Sequence, residues 1–270
     1  MDQGFLVDEN WLTRHATDPT VVLIDTRPAA EYWQGHLTGA RHFDPFPFHC
    51  YDTGPKGLAE FIEQSQWILS ALGVSGDESL VFYENNSGSR ATRGAWLAEY
   101  LGHPRVAILD GGLGAMRQPA LTAEAAPYRP RRFEARPRAG LVATAANIMD
   151  WREDAGHALL DVRSAAEYYG ENVRAKRGGA IPGARFREWQ LNNDAQGRFL
   201  SPAQLRDAFG ALGLRPEQDV VTYCQGGYRA AHAFYALRLA GFTQVRNYLG
   251  SWGEWGNRDD LPIVTPRRHA

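Results

Sequence analysis

One cysteine of this chain follows an apolar run and precedes two glycines and an arginine. Cys224 comes directly after residues 220–223, and Gly226, Gly227 and Arg229 come after it. The β-branched and aromatic residues before Cys224 are typical of a buried parallel strand, and the apolar spacing over the following residues predicts a helix. Cys224 is therefore predicted to lie in the turn between a strand and a helix.

Such a turn favours the ionised form of a thiol. Its backbone N–H groups point toward one centre, and the positive end of the helix dipole adds to their field. Gly226 and Gly227 let the backbone curl tightly, and Arg229 adds a permanent positive charge. Cysteines in these surroundings commonly have pKa values of roughly 3.5 to 7.5 instead of about 8.5. We therefore expect Cys224 to be a nucleophilic thiolate rather than a small apolar residue that fills the strand end.

The composition limits what the protein can bind. Its 270 residues allow two domains of ordinary size, and 44% hydrophobic with 22% charged residues is typical of a globular protein. The formal net charge of -2 gives no general attraction for nucleic acid or for an anionic membrane. Any anion must therefore be bound by local geometry.

The cysteines and the start of the chain predict a location. Cys50 and Cys224 have unrelated sequence surroundings, which argues against a disulfide framework and for a reducing compartment. Residues 1–4 lack a basic segment followed by an apolar one, and no apolar run approaches the roughly 18 residues of a membrane span. We therefore predict a cytoplasmic protein that does not bind membranes.

The two halves of the sequence resemble each other, which indicates a tandem duplication. The matching residues are separated by offsets near 136 to 140. The matching pairs are Asp25 with Asp161, Arg27 with Arg163, Tyr32 with Tyr168, and Glu84 with Cys224. The recurrence of the Asp and Arg residues in both halves predicts ion pairs that hold the fold. Glu84 stands where the first half would need its own cysteine.

Each half alternates short apolar runs with helical patterns, which predicts an α/β domain with helices flanking a parallel sheet. The helical patterns cover residues 58–72, 93–101, 202–212 and 230–239. We expect domains at 1–120 and 141–270, and a linker at 121–140 that is rich in proline and arginine. Ligands of such sheets bind beyond the carboxyl ends of the strands, where Cys224 is expected.

Several motifs occur in the order found in one enzyme family. Asp-x-Arg with Glu-Tyr is followed by Gly-x-Ile-Pro-Gly-Ala at 179–184, by Cys224 and by Gly-Ser-Trp-Gly-Glu-Trp at 250–255. Over nearly its whole length the chain resembles the two-domain form of the rhodanese family of sulfurtransferases. The resemblance implies two rhodanese-like domains, of which the first is catalytically silent and the second forms a persulfide on its cysteine.

The chemistry that this resemblance implies needs no cofactor and no metal. The Cys224 thiolate takes the outer sulfur of an anionic donor and keeps it as a persulfide. Cyanide, a small thiol or a reduced protein thiol then accepts that sulfur. Donor and persulfide are expected to contact Gln225, Gly226, Gly227, Tyr228, Arg229 and Ala230, with Arg163 adding positive potential behind the loop.

The loop sequence matches neither of two subgroups of the family. Vertebrate thiosulfate-specific members carry an arginine and a lysine where this chain has Gln225 and Gly226, and mercaptopyruvate-using members carry a hydroxyl residue in place of Arg229. The form Cys-Gln-x-x-x-Arg resembles some bacterial two-domain thiosulfate sulfurtransferases. We therefore favour thiosulfate as donor, with 3-mercaptopyruvate as the alternative. Glu167 replaces a donor-binding arginine of animal members, and Ala180 replaces the usual histidine.

Two further functions remain open. Four residues separate Cys224 from Arg229, one fewer than in cell-cycle-type protein tyrosine phosphatases, so the loop is short for a tetrahedral oxyanion. A persulfide carrier that delivers sulfur or selenium to a biosynthetic partner would have almost the same sequence as an enzyme. Slow turnover of free thiosulfate with stable loading would favour the carrier.

Other conspicuous residues are predicted to be structural. His232 is expected to pack in the helix after Cys224, because a thiol ionised by its loop needs no base. No motif activates Cys50. Trp252 and Trp255 are expected to fill volume beneath the site, with Glu254 accepting hydrogen bonds there.

Overall fold

The computed structural model describes residues 4–151 and 154–268. Residues 1–3, 152–153 and 269–270 lie outside this description. The predicted domains 1–120 and 141–270 therefore include a few residues that the structure does not describe. The chain forms two compact units, each made of several segments. The first contains the chain through Phe48, Glu60–Arg138 and Asn193–Phe199, and the second contains His49–Ala59, Ala139–Asn192 and the chain from Leu200.

The first unit is built on a parallel sheet. Its five strands in the described part of the chain have the order β1-β6-β5-β2-β4. The strands are β1 Leu6–Val7, β2 Val21–Asp25, β4 Arg41–His42, β5 Ser79–Tyr83 and β6 Val106–Leu109, with a small antiparallel pair, β3 His36–Leu37 and β7 Leu121–Thr122. The helices are α1 Glu9–Arg14, α2 Ala29–Gln34, α4 Ser89–Tyr100 and the part of α3 (Pro55–Ala71) that begins at Glu60.

The second unit repeats this arrangement. Its parallel sheet has the order β10-β9-β11-β12-β8, which is the same topology read from the other edge. The strands are β8 Val142–Ala143, β9 His157–Asp161, β10 Arg185–Phe186, β11 Asp219–Tyr223 and β12 Gln244–Tyr248. The helices are α5 Ala145–Trp151, α6 Ala165–Tyr168, α7 Pro202–Ala211, α8 Tyr228–Leu239 and α9 Ser251–Trp255. The α/β fold in two similar copies is confirmed.

Burial explains why the central strands are so apolar. All five residues of β11 are buried, as are four of the five residues of β5, because helices cover these strands on both faces. Trp252 and Trp255 lie in the core of the second unit together with Tyr223 and Tyr248. The prediction that these tryptophans fill volume is confirmed, since each is about 1% exposed.

The helix that follows Cys224 begins earlier in the chain than the apolar pattern predicts. The pattern predicts a start at Ala230, whereas α8 begins at Tyr228 with Gly227 as its N-cap residue. Gly227 has a φ of 82°, a left-handed conformation that favours glycine. Arg229 and Ala230 therefore lie in the first helical turn, where backbone N–H groups have no partner within the helix.

The recurring Asp and Arg residues form the same clamp in both units. Arg27 donates through Nη2 to Asp25 at 2.6 Å and to the carbonyl oxygen of Gly35 at 2.7 Å. Arg163 donates to Asp161 at 2.6 Å and to the carbonyl oxygen of Gly179 at 2.6 Å. Each clamp ties the end of a strand to the loop that follows the next helix, so the predicted fold-holding ion pairs are confirmed.

Each half of the sequence contains one segment that belongs to the unit formed mainly by the other half. The two segments occupy matching positions in the fold. One begins after β4 and includes His49–Ala59, and the other precedes α7 and includes Asn193–Phe199.

Residues of the expected linker lie along the first unit: the N–H of Arg131 donates to Ser70 O at 3.0 Å, and that of Arg136 donates to Leu101 O at 2.8 Å. Within the described residues, a helix with the length and apolar character needed to span a bilayer is not found.

We predict that Asp25→Asn destabilises the first unit. Asp25 is fully buried and Arg27 is 7% exposed, so the substitution leaves a buried guanidinium without its counter-charge. Removing one partner of a buried ion pair costs about 3–5 kcal/mol. The free energy of unfolding, measured by urea denaturation, is expected to fall by this amount. Glu63→Gln, on an exposed face of the same unit, serves as the control and should leave the unfolding midpoint unchanged. An unchanged midpoint for Asp25→Asn would contradict the role of the clamp.

Candidate active site

Cys224 lies in the tight turn between β11 and α8. Its side chain is 1% exposed, and the turn contains Gln225, Gly226 and Gly227 before the helix begins. Parallel strands of one sheet end at the same edge, so the loop after β12 comes next to this turn. The structure thus places the predicted nucleophile at the carboxyl edge of the sheet, beside a second loop.

That second loop fixes the backbone of the turn. The N–H of Cys224 donates to Ser251 Oγ at 3.1 Å, and Ser251 Oγ donates to the carbonyl oxygen of Tyr248 at 2.7 Å. In return, the N–H groups of Trp252 and Gly253 donate to the carbonyl oxygens of Cys224 at 2.9 Å and Gln225 at 2.8 Å. The turn is therefore held at the N–H of the cysteine by the Ser251 hydroxyl, and at the carbonyl oxygens of Cys224 and Gln225 by main-chain N–H groups.

Ser251 has a strained backbone. Its φ of 50° is the only positive value of a non-glycine residue in the described part of the chain. Such conformations cost of order 1–3 kcal/mol and persist where the surroundings impose them. The two hydrogen bonds of the Ser251 hydroxyl to Cys224 and Tyr248 give a physical reason for serine at this position.

A buried amide holds the far side of the turn. Asn247 Nδ2 donates to the carbonyl oxygen of Gly227 at 2.9 Å, and Asn247 is fully buried. Because this carbonyl is held away, the N–H groups of the turn remain directed toward the sulfur of Cys224. The loop geometry is thus fixed before any ligand arrives.

The surroundings of Cys224 lower the pKa of its thiol. Burial is the largest influence and by itself raises the pKa, because it disfavours the charged form. The charge of Arg229 and the backbone N–H groups of Ala230, Gly226 and Gly227 act in the opposite direction and together outweigh it. The net shift is downward, so the thiolate is favoured even though the sulfur is almost inaccessible to water.

Arg229 is held by a buried carboxylate. Its Nη1 and Nη2 atoms donate to Glu167 Oε2 at 2.6 Å and to Glu167 Oε1 at 2.9 Å, a bidentate pair, and the Glu167 side chain is 3% exposed. Burial by itself raises the pKa of Glu167. The charge of Arg229 and the hydrogen bonds from Arg229 and Ser164 outweigh this effect and lower the pKa to about 2. Burial likewise disfavours the charged form of Arg229, yet Glu167 and Cys224 raise its pKa above the ordinary value.

The exposed edge of the site carries a second cation. Arg174 is half exposed, and its Nη1 lies 3.3 Å from Glu167 Oε1. Gln225 Nε2 donates to the carbonyl oxygen of Arg174 at 3.1 Å, while its buried Oε1 has no hydrogen-bond partner. Arg174 is thus held beside the turn by its contacts with Glu167 and Gln225.

Aromatic side chains from the segment His49–Ala59 form a wall beside the turn. The rings of His49 and Tyr51 stack at 5.0 Å, and His49 lies 5.0 Å from the ring of Tyr228. A Cβ atom at Gly226 would lie 2.8 Å from Cδ2 of His49, so only glycine fits beneath this wall without displacement. Burial raises the pKa of Tyr51, and the nearby charge of Cys224 raises it further.

The matching turn of the first unit surrounds a carboxyl group of the chain itself. The N–H groups of Arg90 and Ala91, at the start of α4, donate to Glu84 Oε1 at 2.8 and 3.1 Å. Burial is the main cause of the raised pKa of Glu84, which these N–H groups only partly offset. This turn has five residues between Glu84 and Arg90, one more than separate Cys224 from Arg229. In both units, therefore, backbone N–H groups at the start of a helix interact with the side chain that follows the central strand.

Residues 8–118 and 144–258 each match the rhodanese-like domain. The chain belongs to the rhodanese-like domain family. A thiosulfate sulfurtransferase of Azotobacter vinelandii is 32% identical over 255 residues and is covered to 91%, as is this chain. A probable 3-mercaptopyruvate sulfurtransferase of Pseudomonas aeruginosa is 34% identical, with 98% of this chain and 99% of the relative covered. A sulfur carrier protein, TtuD, of Thermus thermophilus is 31% identical, with 96% of both chains covered.

Solved structures show the same fold. An anaerobic ergothioneine biosynthesis enzyme of Chlorobium limicola, in complex with trimethyl histidine, superposes with a TM-score of 0.83 at 21% identity. The superposition covers 97% of this chain and 70% of that enzyme. At this level of identity the likeness concerns the fold alone.

The structure brings most of the predicted site residues of this rhodanese-like protein together. Cys224 is followed by Gln225, Gly226 and Gly227 in the turn and by Tyr228, Arg229 and Ala230 at the start of α8. Arg163 is instead engaged by Asp161 and Gly179, and its guanidinium carbon lies 4.4 Å from the ring centre of Trp252. Its expected contribution of positive potential to the donor stays a prediction.

The residues predicted to be structural have structural contacts. His232 is fully buried and meets Trp189 edge to face at 5.0 Å. Glu254 accepts hydrogen bonds from the Thr53 hydroxyl at 2.7 Å and the Tyr248 hydroxyl at 2.9 Å, as expected. Cys50 Sγ donates to the carbonyl oxygen of Asp52 at 3.1 Å. These contacts account for the three residues without a chemical role.

Sequence reasoning missed the roles of Glu167, Ser251 and the aromatic wall. The sequence shows Glu167 only as a replacement for an arginine, although its negative charge, opposite in sign to that of Arg229, is a signal for an ion pair. Ser251 lies in the Gly-Ser-Trp motif, but its strained backbone is invisible in the sequence. Within the described residues, no group of three or more His, Cys, Asp or Glu side chains could hold a metal ion.

We predict that Arg229→Ala raises the pKa of Cys224. The substitution removes the charge that lowers this pKa and leaves Glu167 with a negative charge nearby, so both effects disfavour the thiolate. The rate of iodoacetamide alkylation at Cys224 at neutral pH is expected to fall at least about threefold. Arg90→Ala, the matching change in the first unit, is the control and should leave the rate unchanged. An unaltered rate for Arg229→Ala would show that the loop N–H groups suffice.

Proposed function

We propose that this protein is a thiosulfate sulfurtransferase that carries sulfur as a persulfide on Cys224. The single observation that supports this most is a buried thiol whose pKa is lowered by three backbone N–H groups and one arginine. Such a site favours two anions in turn, the thiolate and the persulfide. Family membership and the relatives agree with sulfur transfer.

The first half-reaction loads the cysteine. The Cys224 thiolate attacks the outer sulfur of thiosulfate, a new S–S bond forms, and the S–S bond of the donor breaks with release of sulfite. The electron pair of the broken bond leaves with sulfite, so the two negative charges of the donor depart and the charge of the thiolate moves to the terminal sulfur. No proton, metal or cofactor is needed for this step.

The second half-reaction unloads it. A nucleophile such as cyanide or a thiolate attacks the terminal sulfur, and the Cys224 thiolate is regenerated as the leaving group. The N–H groups of Gly226, Gly227 and Ala230 stabilise the thiolate and would also stabilise the persulfide. A covalent intermediate between two half-reactions predicts ping-pong kinetics.

Two alternatives share this intermediate. The Pseudomonas aeruginosa relative named a probable 3-mercaptopyruvate sulfurtransferase supports that donor, whereas the glutamine after Cys224 supports thiosulfate. The Thermus thermophilus sulfur carrier supports a carrier that unloads to a protein partner. A carrier would load stoichiometrically and turn over free thiosulfate slowly.

We further propose that the first domain is catalytically silent. Glu84 occupies the place of the cysteine, and a carboxylate cannot accept sulfane sulfur as a persulfide. The unit bounds place His49–Ala59 with the second domain, so we propose that this segment completes the active domain. Because Cys50 and Cys224 have unrelated sequence surroundings, which argues against a disulfide framework, we propose a reducing compartment, the cytoplasm, as the location.

The assay that tests this function follows sulfite release from thiosulfate with cyanide as acceptor. Pyruvate release from 3-mercaptopyruvate is measured at matched concentrations, and the intact mass is recorded after each donor without acceptor. We expect turnover of thiosulfate and a gain of about one sulfur atom on Cys224. Faster turnover of 3-mercaptopyruvate would move the protein to the other subgroup.

Cys224→Ser is expected to abolish both turnover and the gain in mass. Cys50→Ser is the matched control, because its hydroxyl can keep the hydrogen bond to Asp52 O, and it should retain full activity. Sulfur transfer by the Cys224→Ser protein would exclude the proposed intermediate.

A further inference from the structure

The carboxylate that holds Arg229 is placed where it also changes the charge of the site. Glu167 is 3% exposed and its two oxygens accept both terminal N–H groups of Arg229, at 2.6 and 2.9 Å. Arg229 in turn interacts with Cys224 by charge and by a side-chain hydrogen bond. The guanidinium thus lies between two negative groups.

We infer that Glu167 is a positioning residue that orients Arg229 and sets how strongly the site discriminates between singly and doubly charged sulfur donors. This inference rests on the proposed function, because it concerns the donor of the same cysteine. It assigns to Glu167 a role that the arginine of animal members at this position cannot have. The argument has three steps.

The first step concerns orientation. A bidentate carboxylate fixes the plane of a guanidinium, because two parallel hydrogen bonds leave it little freedom to rotate. Glu167 is fixed in turn by the N–H and the hydroxyl of Ser164, both 3.0 Å from Oε2. Ser164, at the start of α6, therefore fixes Glu167, and Glu167 fixes the guanidinium of Arg229. In this orientation the guanidinium interacts with Cys224.

The second step concerns charge. Glu167 is ionised at any pH near neutrality, since its pKa is about 2, and it partly cancels the positive charge of Arg229. The remaining donors at the sulfur are backbone N–H groups, which carry only partial charges. The site therefore attracts a doubly charged donor less than an uncompensated arginine would. Thiosulfate has two negative charges at neutral pH, whereas 3-mercaptopyruvate has one.

The third step is the comparison with the first unit. Glu31 occupies the position that matches Glu167, but its side chain is 39% exposed and accepts a hydrogen bond from Asn85 at 2.7 Å. Arg90, which matches Arg229, pairs instead with Asp44. The duplicated fold thus does not require the pair between Glu167 and Arg229, which occurs in the unit that contains the cysteine.

The test is Glu167→Gln. Glutamine keeps an oxygen that can accept from Arg229, and the same type of helix cap already occurs with glutamine, in Ser201 and Gln204 at the start of α7. The change therefore removes the charge with little change in shape. Glu31→Gln is the matched control, and Glu167→Asp tests whether restoring the charge restores the wild-type behaviour.

Two readouts are needed. The ratio of kcat/KM for thiosulfate to kcat/KM for 3-mercaptopyruvate is expected to rise about three- to tenfold in Glu167→Gln, mainly through a lower KM for thiosulfate. The pH profile of Cys224 alkylation is expected to move to lower pH. The groups facing Cys224 and Arg229 that could affect this profile are His49, Tyr51, Glu167 and Arg174, and only Glu167 is changed.

An unchanged ratio together with an unchanged alkylation profile would overturn the inference. A fall in both kcat values with the ratio and the profile unchanged would show a merely structural role and would also overturn it. The alkylation readout does not depend on sulfur transfer. If the wild-type protein turned over neither donor, the proposed function would fail, and the shift of the alkylation profile would still decide how Glu167 acts on Arg229.

Discussion

The placement of a negative charge on a buried sulfur governs the construction of this site. Burial opposes ionisation of Cys224, so the thiolate requires donors that are already in place. Backbone N–H groups at a helix start meet this need because they have no other partner. Gly227 supplies the left-handed backbone that turns them inward, and the strained Ser251 holds the N–H of Cys224 itself. A small number of fixed dipoles and one arginine therefore account for the lowered pKa of Cys224.

The duplication separates the scaffold from the chemistry. Both units have the same strand order, the same clamp between aspartate and arginine, and the same cradle of N–H groups after the central strand. In the first unit the cradle is filled by the carboxylate of Glu84, which belongs to the chain. In the second, Cys224 stands at that position. We propose that the difference in function follows from this change at the end of the central strand, together with the shorter turn and the pair of Glu167 with Arg229.

Local patterns explain how much of this could be predicted from the sequence. Apolar runs and glycines are read over a few residues, so the parallel sheets, the turn at Cys224 and the clamp of Asp161 with Arg163 were foreseen. The pair of Glu167 with Arg229 joins residues 62 positions apart, and the wall of His49 and Tyr51 is still more distant in sequence from Gly226. Such contacts depend on chain folding and have no periodic signature. The apolar pattern predicts a start of α8 at Ala230 rather than at Tyr228, because Tyr228 and Arg229 carry no apolar periodicity.

The central claim is that the N–H groups of the turn hold the anionic sulfur. A crystal structure of the protein loaded from thiosulfate, without acceptor, measures this directly through the distances from the persulfide sulfurs to the backbone nitrogens of Gly226, Gly227 and Ala230. We predict that these nitrogens lie within hydrogen-bonding distance of the persulfide, with the turn unchanged. A persulfide directed away from the turn, or an opened turn with its N–H groups facing water, would contradict the account.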